Sequence, residues 1–177
     1  MTLAHEPAGM TDASERWTDD RTTFQRVYDV LVGTREYLPA EAFADRASCS
    51  ETAARQALQQ LSEMGIAERR DERPARFRPN ESYFTWRRVE RLASEHSPEE
   101  LRQRVAELID EDETYQEKYG VQDPSAVTSE DLPVDDQDAI QQRWSDLGEW
   151  RAIRRDIRVV RRAVRRAETN ADERGVA

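Results

Sequence analysis

Three residues that form directed hydrogen bonds, Thr52, Gln56 and Gln59, recur at the spacing that places side chains on one face of a helix. Arg55 lies on the flank of that face. A glutamine amide suits the edge of adenine, and a guanidinium group suits the edge of guanine or a phosphate. This face therefore predicts base-edge and phosphate contacts in a DNA major groove, and a solvated helix face is the alternative.

The helix that positions these side chains is predicted over residues 50–64. Ser50 supplies an N-cap oxygen and is included among the candidate DNA-binding residues, and Gly65 ends the helix. The opposite face is apolar and predicts the buried side. Its residues are Ala54, Ala57, Leu58, Leu61 and Met64.

The flanking segments predict a helix-turn-helix with a β-hairpin. Pro39 suits the first position of a short helix that ends at the turn 47–49, and residues 66–70 and 76–78 are strand candidates. The hairpin arginines are candidates for contacts to phosphate or the minor groove. The alternative is pairing with nearby acids. The arginines are Arg69, Arg70, Arg73, Arg76 and Arg78, and the acids are Glu68, Asp71 and Glu72.

A family resemblance rests on residues of this stretch. The pattern Phe43-Ala44, Cys49-Ser50, Ala54-Arg55, Leu58, Leu61, Gly65-Ile66 and Phe77 resembles the winged helix-turn-helix of prokaryotic transcriptional regulators of the ArsR-like type. Residues 78–88, with Tyr119-Gly120, also resemble a group of uncharacterised regulators from halophilic archaea, over residues 21–167. The resemblance implies DNA binding in transcription control. It does not bring the metal response of ArsR-like repressors, because Cys49 has no companion ligands.

Charge is distributed unevenly along the 177 residues. The net charge is −10, and Lys118 is the only lysine, a balance typical of a cytosolic protein of a halophile. The local sum is about +2 over residues 21–91, about −12 over residues 92–138 and about +4 over residues 139–177. The candidate DNA-reading region is therefore not the acidic one. In molar salt, with a Debye length of roughly 3 Å, distant acidic surface has little effect on binding.

Apolar periodicity predicts four further helices. These cover residues 19–32, residues 81–95, a stretch from the capping box at Ser97 to Gly120, and residues 135–168. Residues 1–18 are predicted to be a mobile segment, residues 121–136 an acidic loop and residues 169–177 a mobile tail. The predicted domains are a winged helix-turn-helix over residues 19–80 and a helical region over residues 81–168.

The last helix carries an apolar seam. Its members are Ile140, Trp144, Leu147, Trp150, Ile153, Ile157, Val160, Val164 and Ala167. The seam suits a helical hairpin or the arm of a homodimer, and both remain open. The outer face is rich in arginine, and we expect it to pair with the acids Asp110, Glu111, Asp112, Glu113 and Glu117. Direct contact with nucleic acid is the alternative.

Other functions find little support in the sequence. The histidines, His5 and His96, have no context for nucleophilic catalysis, and no glycine-rich phosphate motif is present. We expect no enzyme activity, no metal and no cofactor. The acids at 110–113 are predicted to be surface residues. Tyr83, Phe84 and Trp86 are predicted to be packing residues or the lining of an effector pocket. The single cysteine and the lack of a secretory signal or long apolar run indicate a cytoplasmic protein with no membrane partner.

These observations predict a mainly α protein with a small β-hairpin wing: a winged helix-turn-helix followed by a C-terminal helical region with coiled-coil periodicity. The predicted function is that of a sequence-specific transcriptional regulator. The partners would be double-stranded DNA and a second copy bound through the C-terminal helices. A winged-helix scaffold that binds proteins and not DNA is the alternative.

Overall fold

The computed structural model describes residues 20–128 and 137–175 and divides the chain into two compact units, Met1–Phe84 and Thr85–Ala177. The predicted mobile segment at 1–18, and residues 129–136 of the predicted acidic loop, lie outside the described residues. The described chain is mainly helical, with one small antiparallel sheet, as predicted.

The first unit begins with helix α1, Thr23–Gly33. The helix was predicted to start at residue 19, and this was wrong. Thr22 is the N-cap: its side chain accepts a hydrogen bond from the backbone N–H of Gln25, and the Gln25 side chain accepts one from the backbone N–H of Thr22. This reciprocal capping satisfies two of the backbone amides at the start of the helix.

A helix-turn-helix follows. Helix α2 is Ala40–Arg46 and helix α3 is Glu51–Glu63, with Ser50 as the predicted N-cap. Pro39 was predicted in the first turn of α2 but occupies the N-cap. The turn reverses at Ser48, which has a φ of 50°, and α3 ends before Gly65, which has a φ of 72°. Glycine suits this left-handed position because it has no Cβ.

The sheet has three short strands in the order β1-β3-β2. They are β1 (Leu38–Pro39), β2 (Ala67–Arg70) and β3 (Arg76–Pro79). The hairpin of β2 and β3 was predicted, whereas β1 was not. Phe77 pairs with Leu38 on one side and Arg69 on the other, and its side chain enters the core of the unit.

The core of the first unit lies between α1, α2, α3 and the sheet. Val27, Leu31, Phe43, Leu58 and Leu61 are fully buried there. Many of the remaining core positions are alanine, so the helices approach closely with little side-chain volume between them. This tight packing holds α3 rigidly by one face and leaves the other open to solvent.

Helix α4, Glu81–Glu95, spans the division between the units, and Tyr83 and Phe84 at its start pack on the first core. They are therefore packing residues, which was one of the two predicted alternatives; the other was the lining of an effector pocket. Helix α5, Pro98–Tyr119, has the predicted capping box of Ser97 and Glu100 and ends at Gly120. A short 3-10 turn, Pro124–Ala126, follows.

The second unit is built on an antiparallel hairpin of α5 with helix α6, Gln137–Gly175. Ile153, Ile157 and Val160 are buried against α4 and α5, so the apolar seam packs as a helical hairpin within one chain. Two details of the prediction were wrong. Trp144 is 60% exposed, and residues 169–175, predicted as a mobile tail, continue the helix.

Candidate nucleic-acid interface

The outer face of α3 presents uncharged hydrogen-bonding groups to solvent. Thr52, Gln56 and Gln59 are exposed as predicted. Gln60 is exposed on the same face and was missed, although the same helical spacing includes it. Met64, predicted in the buried stripe, is 61% exposed because α3 ends at Glu63 and the chain turns away at Met64.

The charged residues of α3 are Glu51, Arg55 and Glu63, which sum to −1, and Glu63 is exposed on the outer face. Arg55 forms an ion pair with Glu51 one turn earlier, and Gln59 donates a hydrogen bond to Glu63 at 3.3 Å. Ser50 at the N-cap accepts from the backbone N–H of Ala53 at 3.2 Å. The Ser50 hydroxyl is exposed and retains its own hydrogen for an external acceptor. This face therefore offers hydrogen bonds with little net charge.

Three of the hairpin arginines, Arg69, Arg76 and Arg78, form ion pairs within the hairpin, and the pairs of the first two are the more exposed. Arg69 lies 2.8 Å from Asp71, and Arg76 lies 3.4 Å from Glu72. This is the pairing that the sequence left as the alternative to DNA contact. All four side chains are well exposed, and such surface pairs contribute only about 0 to 1 kcal/mol. A phosphate could therefore replace the carboxylate at small cost.

Tyr37 organises a second group of hairpin side chains, and sequence reasoning missed it. Its ring lies under the guanidinium groups of Arg70 and Arg78, at 3.9 and 4.7 Å. Its hydroxyl donates to Glu68 at 2.8 Å, and Arg78 donates to the same carboxylate. The bonds from Tyr37 and then Arg78 hold the pKa of Glu68 below its usual range. Arg70 and Arg78 thus fix the hairpin to the segment before β1.

A cleft of about 340 Å³ lies between α3 and the hairpin tip. Arg55 and Glu51 line it from the α3 side, and Arg73 and Glu72 line it from the tip. Among the residues that the structure describes, Arg73 has no ion-pair or hydrogen-bond partner. The fold thus brings the predicted helix contact Arg55 and the predicted hairpin contact Arg73 to the walls of one cleft.

Cys49 has the environment of an inert thiol. Burial raises its pKa, and the nearby charge of Arg26 only partly offsets this. Within the described ranges there is no cluster of three His, Cys, Asp or Glu side chains that could hold a metal ion. In the same part of the chain, none of the helices has the length and apolarity needed to cross a membrane.

The chain belongs to DUF7342, a family of unknown function, whose model matches residues 21–168. This match covers most of both units. It includes α3, the β-hairpin of β2 and β3, and most of the helical hairpin of α5 and α6. No curated protein matches the chain, and no solved structure does. Function must therefore be inferred from the geometry of this chain.

Proposed function

We propose that this protein is a cytoplasmic, sequence-specific DNA-binding regulator of transcription that reads the major groove with α3 and contacts the backbone with the hairpin. One observation carries the proposal. The second helix of a helix-turn-helix presents an exposed row of uncharged hydrogen-bonding groups, Thr52, Gln56, Gln59 and Gln60, from a rigidly packed inner face. Helices of this motif read base edges in this way.

Amide-rich faces provide selectivity more than affinity. A glutamine amide both donates and accepts, so a wrong base leaves one of its groups unpaired in the groove. The ion pair of Arg55 with Glu51 is exposed and weak, so Arg55 can exchange it for a guanine edge or a phosphate. Around the groove, Arg73 and the weakly paired Arg69 and Arg76 supply the hairpin contacts to phosphate.

The proposal includes a symmetric dimer. In such a dimer the two copies of α3 would enter major grooves about one DNA turn, roughly 34 Å, apart. The seam of Ile153, Ile157 and Val160 is buried within one chain, so it is not available to a second copy. A dimer through the C-terminal helices must use their outer surfaces.

The test is selection of bound duplexes from a random DNA pool at near-molar KCl. High salt suppresses nonspecific binding, so an enriched motif reports base contacts. The double variant Arg55→Ala, Gln56→Ala should lose the motif. The matched control is Gln103→Ala, Arg104→Ala on α5, an adjacent and exposed pair of the same two residue types. It should select the same motif as the wild type.

Two outcomes would refute this assignment. A motif that survives unchanged in the Arg55→Ala, Gln56→Ala variant would exclude α3 as the reading helix. Failure of the wild type to enrich any motif, even as salt is lowered, would favour the scaffold that binds proteins. The near-neutral charge of α3 is the observation that favours that second candidate. Light scattering with and without the selected duplex would measure the molar mass and so test whether the protein is a dimer.

A further inference from the structure

One face of α6 carries a row of five arginines at alternating spacings of four and three residues. The members of this arginine row are Arg151, Arg155, Arg158, Arg162 and Arg165. With a helical step of about 100° per residue, the five positions fall within roughly 80° of the circumference, and the row is about 21 Å long. No acidic residue of α6 falls on this face between residues 144 and 169.

The arginine row has no internal counter-charge in the described chain. All five side chains are exposed, and within residues 20–128 and 137–175 none has an ion-pair or hydrogen-bond partner. The flanking arginines differ: Arg154 pairs with Asp112 and Asp123, and Arg166 pairs with Glu90. Of the α5 acids that were expected to pair with the arginines of α6, only Asp112 does so in the described chain, with Arg154 beside the row.

We infer that the arginine row binds the phosphate backbone of duplex DNA. Five adjacent guanidinium groups repel one another, and an acidic partner removes that repulsion on binding. Each guanidinium fork matches the paired oxygens of a phosphate. The choice of duplex DNA as the ligand rests on the proposed function. The surface is a different one, and binding to it requires no base contact.

The composition of the row favours duplex DNA over two other acidic partners. An interface with a second copy would need an apolar centre, and no apolar side chain is interspersed among the five arginines. Single-stranded nucleic acid is bound by successive aromatic platforms. Here Trp144 is exposed on the same face but stands alone, beyond the first arginine. A row of charge without stacking partners suits a base-paired backbone.

The experiment measures how binding to a random-sequence duplex depends on KCl concentration, by fluorescence anisotropy with the full chain. The row variant is Arg155→Gln, Arg158→Gln, Arg162→Gln. Since each phosphate contact contributes about 0.9 to the slope of log K against log salt, the slope should fall by about 2.7. The corresponding triple lysine variant should keep most of the slope, because the charge is retained.

A charge-matched control separates contact from overall charge. It is Arg91→Gln, Arg102→Gln, Arg104→Gln, which removes three exposed arginines of α4 and α5 from the same unit. This control should leave the slope nearly unchanged. Far-UV circular dichroism verifies that all variants fold, as expected for substitutions at exposed positions.

Each outcome decides between the hypotheses. An equal loss of slope in the row and control variants, or no loss in either, overturns the inference. If the row variant keeps the slope but turns a dimer into a monomer in light scattering, a second copy occupies the row. If the wild type shows the row-dependent slope but selects no motif, the arginine row stands and the proposed function fails. If the wild type selects a motif but the row variant keeps the slope, the proposed function stands and the inference about the arginine row fails.

Discussion

The substitution Asp112→Ala tests the best-connected polar site of the second unit. Asp112 is buried in α5, and three side chains contact its carboxylate. Trp150 donates a hydrogen bond to this carboxylate at 2.6 Å and Gln116 donates one at 2.7 Å, and Arg154 forms an ion pair with it at 2.9 Å. Trp150 is fully buried on α6, with the rings of Tyr115 and Tyr119 stacked on it. The site therefore couples the two helices of the hairpin.

The loss in the free energy of unfolding depends on which side chains that contact Asp112 can find another partner. Arg154 keeps its ion pair with Asp123, and Gln116 is only half-buried, so both recover most of their loss. The indole N–H of Trp150 has no access to water, and a buried unsatisfied donor costs about 1 to 3 kcal/mol. With up to about 1 kcal/mol for the weakened ion pair, Asp112→Ala should lower the free energy of unfolding by about 1 to 4 kcal/mol.

The assay is urea unfolding followed by circular dichroism at a helix wavelength, in a double-mutant cycle with Trp150→Phe. Phenylalanine removes the donor but keeps a ring, so Asp112→Ala should cost about 1 to 2 kcal/mol less in that background. Asp112→Asn keeps an acceptor for the indole and should cost less than the alanine variant. A coupling energy below about 0.5 kcal/mol would refute the claim that this hydrogen bond contributes to the stability of the hairpin.

Two glycines and two tyrosines give further predictions. Gly65→Ala should destabilise the first unit by about 1 to 2 kcal/mol, because the φ of 72° disfavours a Cβ. Gly148→Ala, within α6 and with open space around it, should stabilise by about 0.5 to 1 kcal/mol; both are measured by urea unfolding. Burial, then hydrogen bonds to Glu149 and Asp146, raises the pKa of Tyr115 and Tyr119 to about 12. Ultraviolet titration should show two tyrosines ionising near that pH, and the stability they contribute should fall as pH rises from about 10.

Features encoded by local sequence were predicted well. N-caps and end glycines act within a few residues, so Ser50 and Ser97 are the N-caps of α3 and α5 as expected. The outer face of α3 followed from helix geometry alone. Strand β1 was missed because two residues carry no periodicity, and its pairing with β3 depends on the fold. The partners of Arg70 and Arg78 likewise depend on Tyr37, which is distant in sequence.

The errors on α6 have a geometric and an energetic reason. Trp144, Leu147, Trp150 and Ile153 follow at steps of three, and each step lags a full turn by about 60°, so Trp144 lies roughly opposite Ile153. A stripe of consecutive threes therefore rotates around the helix, and Trp144 shares its face with the arginine row. The helix continues to Gly175 because each added residue extends an existing helix without a new nucleation step.

If the protein binds DNA as proposed, the distribution of arginine gives affinity and selectivity separate sources. A chain of net charge −10 gains little from long-range attraction to DNA, and α3 itself has a net charge of −1. If α3 reads bases as proposed, its amides discriminate among sequences but bind weakly. The arginine row, if it binds phosphate as inferred, supplies sequence-independent affinity that falls with salt. Loss of α3 contacts should then abolish motif preference with little change in salt dependence, and loss of the row should do the opposite.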